Sequence, residues 1–209
     1  MTQYLTADQH LGHAGIIGLA KRPFDDVDHM NEELIAAWNS VVRPADEVFH
    51  LGDIISERDI DKALVLLMRL NGTIYLIPGN HDRFLRDLDE ENRPSVKLEL
   101  LPPLFRLNYN HTKIWLSHYP LRAWEGSFKG ALHLYGHTHN TLEADRLPRS
   151  MDVGVDARGY YPLSVDEIWR KLIKEPIIPE EARVRGEKEA LELSKTWKTR
   201  KRVNKEKGN

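Results

Sequence analysis

A chain of 209 residues with 41% hydrophobic content has room for one ordinary domain, with or without a tail, and enough apolar residues to bury a core. Its 30 Lys+Arg and 32 Asp+Glu leave a net charge of −2, which argues against both a uniformly basic nucleic-acid binder and an acidic disordered chain. Cysteine is absent while histidine numbers ten, so disulfides, thiolate catalysis, iron–sulfur clusters and Cys-based zinc fingers are excluded, and any metal must be held by nitrogen and oxygen. No apolar run approaches the roughly 18 residues of a membrane span and no export signal opens the chain, so a soluble cytoplasmic protein is expected.

In chain order, the first short apolar run is Tyr4 to Ala7, followed by Val48 to Leu51 and Ile74 to Ile77; β-branched, aromatic and bounded by Gly or Pro, they read as buried strands. Between them, Val27, Met30, Leu34, Trp38 and Val41 recur at helical spacing, and Ser56 with Asp59 makes a capping-box start for a helix carrying Ile60, Ala63, Leu64 and Leu67. Strands alternating with helices predict parallel pairing and an α/β sheet. Leu104 to Tyr109 and Lys113 to Ser117 flank Asn110-His111-Thr112 as a hairpin; Leu132 to Tyr135 and Met151 to Val155 add strands, and a second box, Ser164 with Glu167, opens a helix with Val165, Ile168, Trp169 and Leu172. Past Pro176 and Pro179 the character changes. Residues 194–209 carry seven Lys/Arg and one acid, a local net of +6 against −8 for the rest, which reads as a solvated, partly helical tail or as an arm that steers polyanions.

Chemistry concentrates after the predicted strands: Asp8-Gln9-His10, Gly52-Asp53, Gly79-Asn80-His81-Asp82, His118, and Gly136-His137-Thr138-His139. In an open α/β sheet, ligands bind beyond the carboxyl ends of the strands, so five segments deliver Asp, His and Asn to one rim. Singly these pieces are weak, since Gly-Asp is a common turn and a lone histidine at a strand end is usually a packing residue. Together they make a nitrogen and oxygen site suited to Mn, Fe, Zn, Ni or Mg.

These five blocks, in this order, resemble the signature of the calcineurin-like metallophosphoesterases over residues 4 to about 155. The flanking segments His10-Leu11-Gly12-His13, Arg22-Pro23-Phe24, Trp38-Asn39 and Ser117-His118-Tyr119-Pro120 are similar to the small, uncapped phosphoesterases of bacteria and their phages. The resemblance implies two stacked β-sheets flanked by helices; taken with the change of character past Pro176, the expected division is a metallophosphoesterase domain over residues 1–175 and a charged, partly helical tail over 176–209. The resemblance also implies two divalent metal ions: Asp8, His10 and His139 hold one, Asn80, His118 and His137 the other, and Asp53 bridges them. A bridging carboxylate offsets the repulsion of two cations about 3.5–4 Å apart, and a hydroxide between them attacks phosphorus in line.

In such enzymes the residue at His81 faces the phosphate, protonating the leaving oxygen or stabilising developing charge; Asp82 either orients it or caps the following helix. The protein Ser/Thr phosphatases place an Asp three residues after the bridging Asp. Here that position is Ser56, which demotes that branch. His13 is expected at the rim, and Arg22 and Arg122 are candidate phosphate clamps, each with a plain structural or surface role as its alternative. His50 and His133 read as core or supporting residues, His29 and His111 as surface, and the tryptophans, including Trp38, Trp115 and Trp169, as core.

The leading function is hydrolysis of a nucleotide or small phosphoester. A nuclease acting on DNA or RNA ends is favoured only by the basic tail, and a non-catalytic metal-binding module is the third reading. A metallo-β-lactamase-type site is set aside because His137-Thr138-His139 is followed by Asn140 and Thr141.

Overall fold

The computed structural model describes residues 1–57, 59–82, 85 and 96–178. Of the tail expected over 176–209, residues 179–209, Trp197 included, lie outside the described residues, as do residues 83–84 and 86–95. In chain order the elements are β1 (Gln3–Thr6), α1 (Ala14–Leu19), α2 (Val27–Val41), β2 (Glu47–His50), α3 (Ile60–Met68), β3 (Thr73–Leu76), β4 (Leu98–Leu100), β5 (Leu104–Tyr109), β6 (Thr112–Ser117), β7 (Leu132–Tyr135), β8 (Ser150–Asp152), α4 (Val155–Arg158), β9 (Leu163–Ser164) and α5 (Val165–Leu172). One sheet has the order β4-β3-β2-β1-β9 and the other β5-β6-β7-β8. The expected parallel pairing of the first three strands is present, with Leu5 level with Phe49 and Phe49 with Tyr75. The expected hairpin joins β5 to β6, and Asn110 and His111 at its tip both take positive φ, the conformation a tight two-residue turn needs.

Alternation along the strands sorts side chains into two apolar layers. Val48 and Ile74 point away from the second sheet and pack with Met30, Leu34 and Trp38 of α2 and Ala63 and Leu67 of α3. Leu5 and Phe49 point the other way and meet Ile114, Leu116, Leu132, Leu134 and Met151 of the second sheet, with Val165, Ile168 and Leu172 of α5 in the same cluster. This is the expected pair of stacked sheets flanked by helices.

Two local expectations change. Ser56 does not cap α3; Asp59 does, accepting from Asp61 N at 3.1 Å and Lys62 N at 3.2 Å, while Ser56 turns toward His81. The box at Ser164 and Glu167 forms as expected. Trp38 is fully buried and donates Nε1–H to Asn71 O, whereas Trp115 and Trp169 are half-buried covers.

His133, on the outer face of β7, donates Nδ1–H to Trp115 O and accepts Leu121 N–H on Nε2, pinning the chain after β6 to the sheet. Burial pushes its imidazole down to about 4, so the folded state keeps it neutral where an unfolded chain would protonate it. The unfolded state therefore binds the extra proton below about pH 6.5, and stability falls as the pH drops toward 4. His133→Gln retains a donor and an acceptor without the titration. Its denaturation midpoint should fall less steeply than the wild type's between pH 6.5 and 4, a difference on the order of 1–3 kcal/mol at the acid end.

Candidate metal centre

β1, β2, β3, β6 and β7 all end on one rim, where the chain turns sharply. Asp8, His10, Asp53, His137 and His139 all adopt left-handed backbone, with φ of 62, 53, 57, 69 and 45°. For residues with a Cβ this conformation is strained, and such positions gather where the surroundings over-determine them. Glycines make the approach possible. A Cβ on Gly136 would lie 2.9 Å from Asp8 Oδ2, and one on Gly79 would lie 2.1 Å from Asp53 Oδ1.

The side chains converge as two sets. Ligand atoms of Asp8, His10 and His139 lie within 4.8 Å of one another, as do those of Asp53, His118 and His137. Asn80 joins the second set, its Oδ1 3.1 Å from His118 Nε2. Asp53 stands between the sets: Oδ2 is 3.6 Å from His10 Nε2 and 3.5 Å from His118 Nε2. All seven expected ligands are thus brought together.

Three observations fit cations at this rim. Asp8, Asp53, Asp82 and Asp152 are buried to within 1% and Asp156 nearly so, while Arg22, paired with Asp156, is a single buried cation among them. That much buried negative charge is costly without further positive charge. Both ring nitrogens of His10 are buried with no hydrogen-bond partner, a condition that ligation relieves. Burial pushes its imidazole down to about 2, so no proton competes for the lone pair. His118 and His139 are also oriented for ligation, since Nδ1 of each faces an acceptor, Leu51 O at 2.8 Å and Asp156 Oδ2 at 2.6 Å, leaving Nε2 to the rim.

Electrostatics divides the carboxylates. Burial, reinforced by Asp152 and Asp53, pushes the Asp8 carboxyl well above its usual range. Burial acts in the same direction on Asp53, but the hydrogen bond and charge of His118 outweigh it and carry that carboxyl well below its usual range. The partner shift agrees in sense: burial lowers His118, and Asp53 more than restores it.

Other expected residues are placed differently. Asp82 makes no hydrogen bond to the His81 ring. Buried, it accepts Asp53 N at 2.6 Å and Gly79 N at 2.8 Å on Oδ2, and Ile54 N at 3.0 Å on Oδ1, so it fastens the β2 and β3 turns together. The His81 ring is met instead by Ser56, whose Oγ lies 3.1 Å from Nδ1, and its backbone N–H donates to Asp53 Oδ1. Arg22 is not a phosphate clamp: at 4% exposure it donates to both Asp156 oxygens and to the Asp8 and Gln9 carbonyls, holding the turn after β1 from behind. Arg122 is exposed, but it lines a groove with Trp124, Phe128 and Arg146 that none of the candidate ligands lines. His13 is half-buried on the rim, its ring 5.4 Å from that of His10 and 5.3 Å from that of His81. His50 is a supporting residue, bonded at Nε2 to Gln9 Oε1 and at Nδ1 to Gly52 N–H.

The family model of the calcineurin-like phosphoesterases matches residues 1–192 of this chain. The chain belongs to the calcineurin-like phosphoesterases. It is 36% identical over 182 residues to an uncharacterised protein of Methanocaldococcus jannaschii, covering 84% of this chain and 93% of that one. It is 30% identical over 191 residues to the gene 66 protein of Mycobacterium phage L5, covering 79% and 91%. Among solved structures, a protein of unknown function from Aquifex aeolicus superposes with a TM-score of 0.65 at 24% identity, covering 81% of this chain and 98% of that one, a likeness of fold. As a calcineurin-like phosphoesterase, the chain has the general chemistry of metal-dependent phosphoester hydrolysis.

Asp152 and Asp156 escape the motif reading. Asp152 accepts Thr138 Oγ–H, Asn140 N–H and Gly154 N–H, and Asp156 carries His139 and Arg22. Asp156 directly follows the predicted strand Met151 to Val155, the kind of position that picked out the ligands, whereas Asp152 lies inside that run. Two substitutions separate support from ligation. Asp82→Asn puts an NH₂ against N–H groups that need an acceptor, and should cost about 2–4 kcal/mol in chemical denaturation. Asp156→Asn, which cannot serve His139 and Arg22 as a carboxylate does, should weaken metal binding about 10–100-fold in a metal titration while the protein stays folded.

Proposed function

We propose that this calcineurin-like phosphoesterase is a binuclear metal-dependent hydrolase of nucleotides or other small phosphoesters. The carrying observation is Asp53 Oδ2, spaced almost equally from His10 Nε2 and His118 Nε2. Asp8, His10 and His139 would hold one divalent ion and Asn80, His118 and His137 the other, with Asp53 shared. Manganese is the first candidate for a set of imidazole, carboxylate and amide ligands. Bound there, the ions supply activation of the attacking water and positive charge for the phosphoryl oxygens.

The chain's own residues do the rest. Neutral imidazoles leave the ions their positive charge. His81, against His10 with ring centres 4.8 Å apart, stands beside this set and donates a proton to the leaving oxygen as the P–O bond breaks. Ser56 holds the ring through Nδ1, leaving Nε2 for substrate, and Asp53 holds the backbone below it. The nuclease reading rests on the basic run of 194–209, outside the described residues.

Activity toward small phosphoesters should disappear on chelation and return with Mn²⁺. His81→Ala should then lower turnover of an alkyl phosphate by about 10²-fold or more, yet lower that of p-nitrophenyl phosphate far less, because nitrophenolate leaves without a proton. Ser56→Ala should show the same leaving-group dependence at smaller size. Equal losses on both substrates would assign His81 to charge stabilisation instead.

A further inference from the structure

Tyr119 is an exposed aromatic residue at the rim that belongs to neither the apolar core nor the candidate ligand set. Its side chain follows a candidate ligand directly in sequence, yet the residue is 51% exposed. The ring sits edge-on against two ligand histidines, with centres 4.8 Å from His118 and 4.6 Å from His137. Its hydroxyl donates to Asn80 Oδ1 at 3.3 Å, and the Ser117 hydroxyl donates to its carbonyl at 2.7 Å, so both side chain and backbone are held. Half of a large ring is thereby kept in water, forgoing the stabilisation that its burial would bring. Exposed aromatics held on loops beside a site are suited to stacking against flat ligand groups.

Its location identifies what it would meet. Asp53 Oδ2 marks the middle of the site, with His10 on one side and His118 on the other. His81 packs on the His10 side, and Tyr119 on the side of His118 and His137. In hydrolysis, water adds to phosphorus, the bond to the leaving oxygen breaks, and that oxygen takes its proton from His81. The leaving group therefore departs on the His81 side. A phosphomonoester has no other substituent, whereas a phosphodiester keeps a second ester group, for which the Tyr119 side remains.

The geometry points to Tyr119 as a stacking subsite for the retained group of a phosphodiester that bears an aromatic ring or nucleobase. This deepens the hydrolase reading and rests on it. Three probes share one leaving group, nitrophenolate, and differ only in what is retained: bis(p-nitrophenyl) phosphate keeps an aromatic ring, methyl p-nitrophenyl phosphate a methyl group, and p-nitrophenyl phosphate none. With Mn²⁺-loaded full-length protein, Tyr119→Ala should lose about tenfold more kcat/KM on the first probe than on the other two, mainly through KM, the size expected of one aromatic stacking contact. Tyr119→Phe should keep the wild-type ratio among the probes. Equal losses on all three, or a ratio restored only by the hydroxyl, would overturn the subsite and leave Tyr119 as a support for Asn80. No loss on any probe would overturn it too. Wild-type protein that cleaves none of the three would instead overturn the hydrolase reading beneath it. Metal content measured on each variant separates loss of the subsite from loss of the ions.

Discussion

The whole rim depends on buried aspartates that accept backbone N–H groups from neighbouring turns. Asp8 takes His137 N–H, Asp53 takes His81 N–H, Asp82 takes those of Asp53, Ile54 and Gly79, and Asp152 takes those of Asn140 and Gly154. Charge-assisted bonds of this kind are stronger than ordinary backbone bonds, and each ties one strand end to another. They hold five ligand residues in left-handed backbone that none would choose alone. The sheets bring the strand ends into one plane, and the carboxylates aim the side chains.

That solution has an electrostatic cost. It collects five buried or nearly buried carboxylates, and Arg22 offsets one of them. The same negative charge that fastens the backbone disfavours an ion-free site and favours cations in it. Fold stability and metal affinity are therefore coupled, and binding of the ions should also stabilise the fold.

The strand ends were legible because their signals are local: short β-branched runs, a glycine, then a polar residue. This pattern put all seven proposed ligands on one rim, whereas the two stacked sheets were expected from the family resemblance. It could not reach interactions between segments distant in sequence. Asp82 follows His81 directly, yet three of its four bonds come from residues 27 to 29 positions earlier. Arg22 looked like a rim arginine because nothing local reveals Asp156, 134 residues later, on which its guanidinium closes. Ser56 had the spacing of a helix cap, and only the fold turns it to His81. β4 and β9, of three and two residues, are too short for periodicity to register.

The central claim is a pair of ions sharing Asp53. Anomalous diffraction from crystals grown with Mn²⁺ tests it most directly. The account predicts two peaks per chain, about 3.5–4 Å apart and both within ligand distance of the Asp53 carboxylate. A single peak, or two that Asp53 does not join, would contradict it.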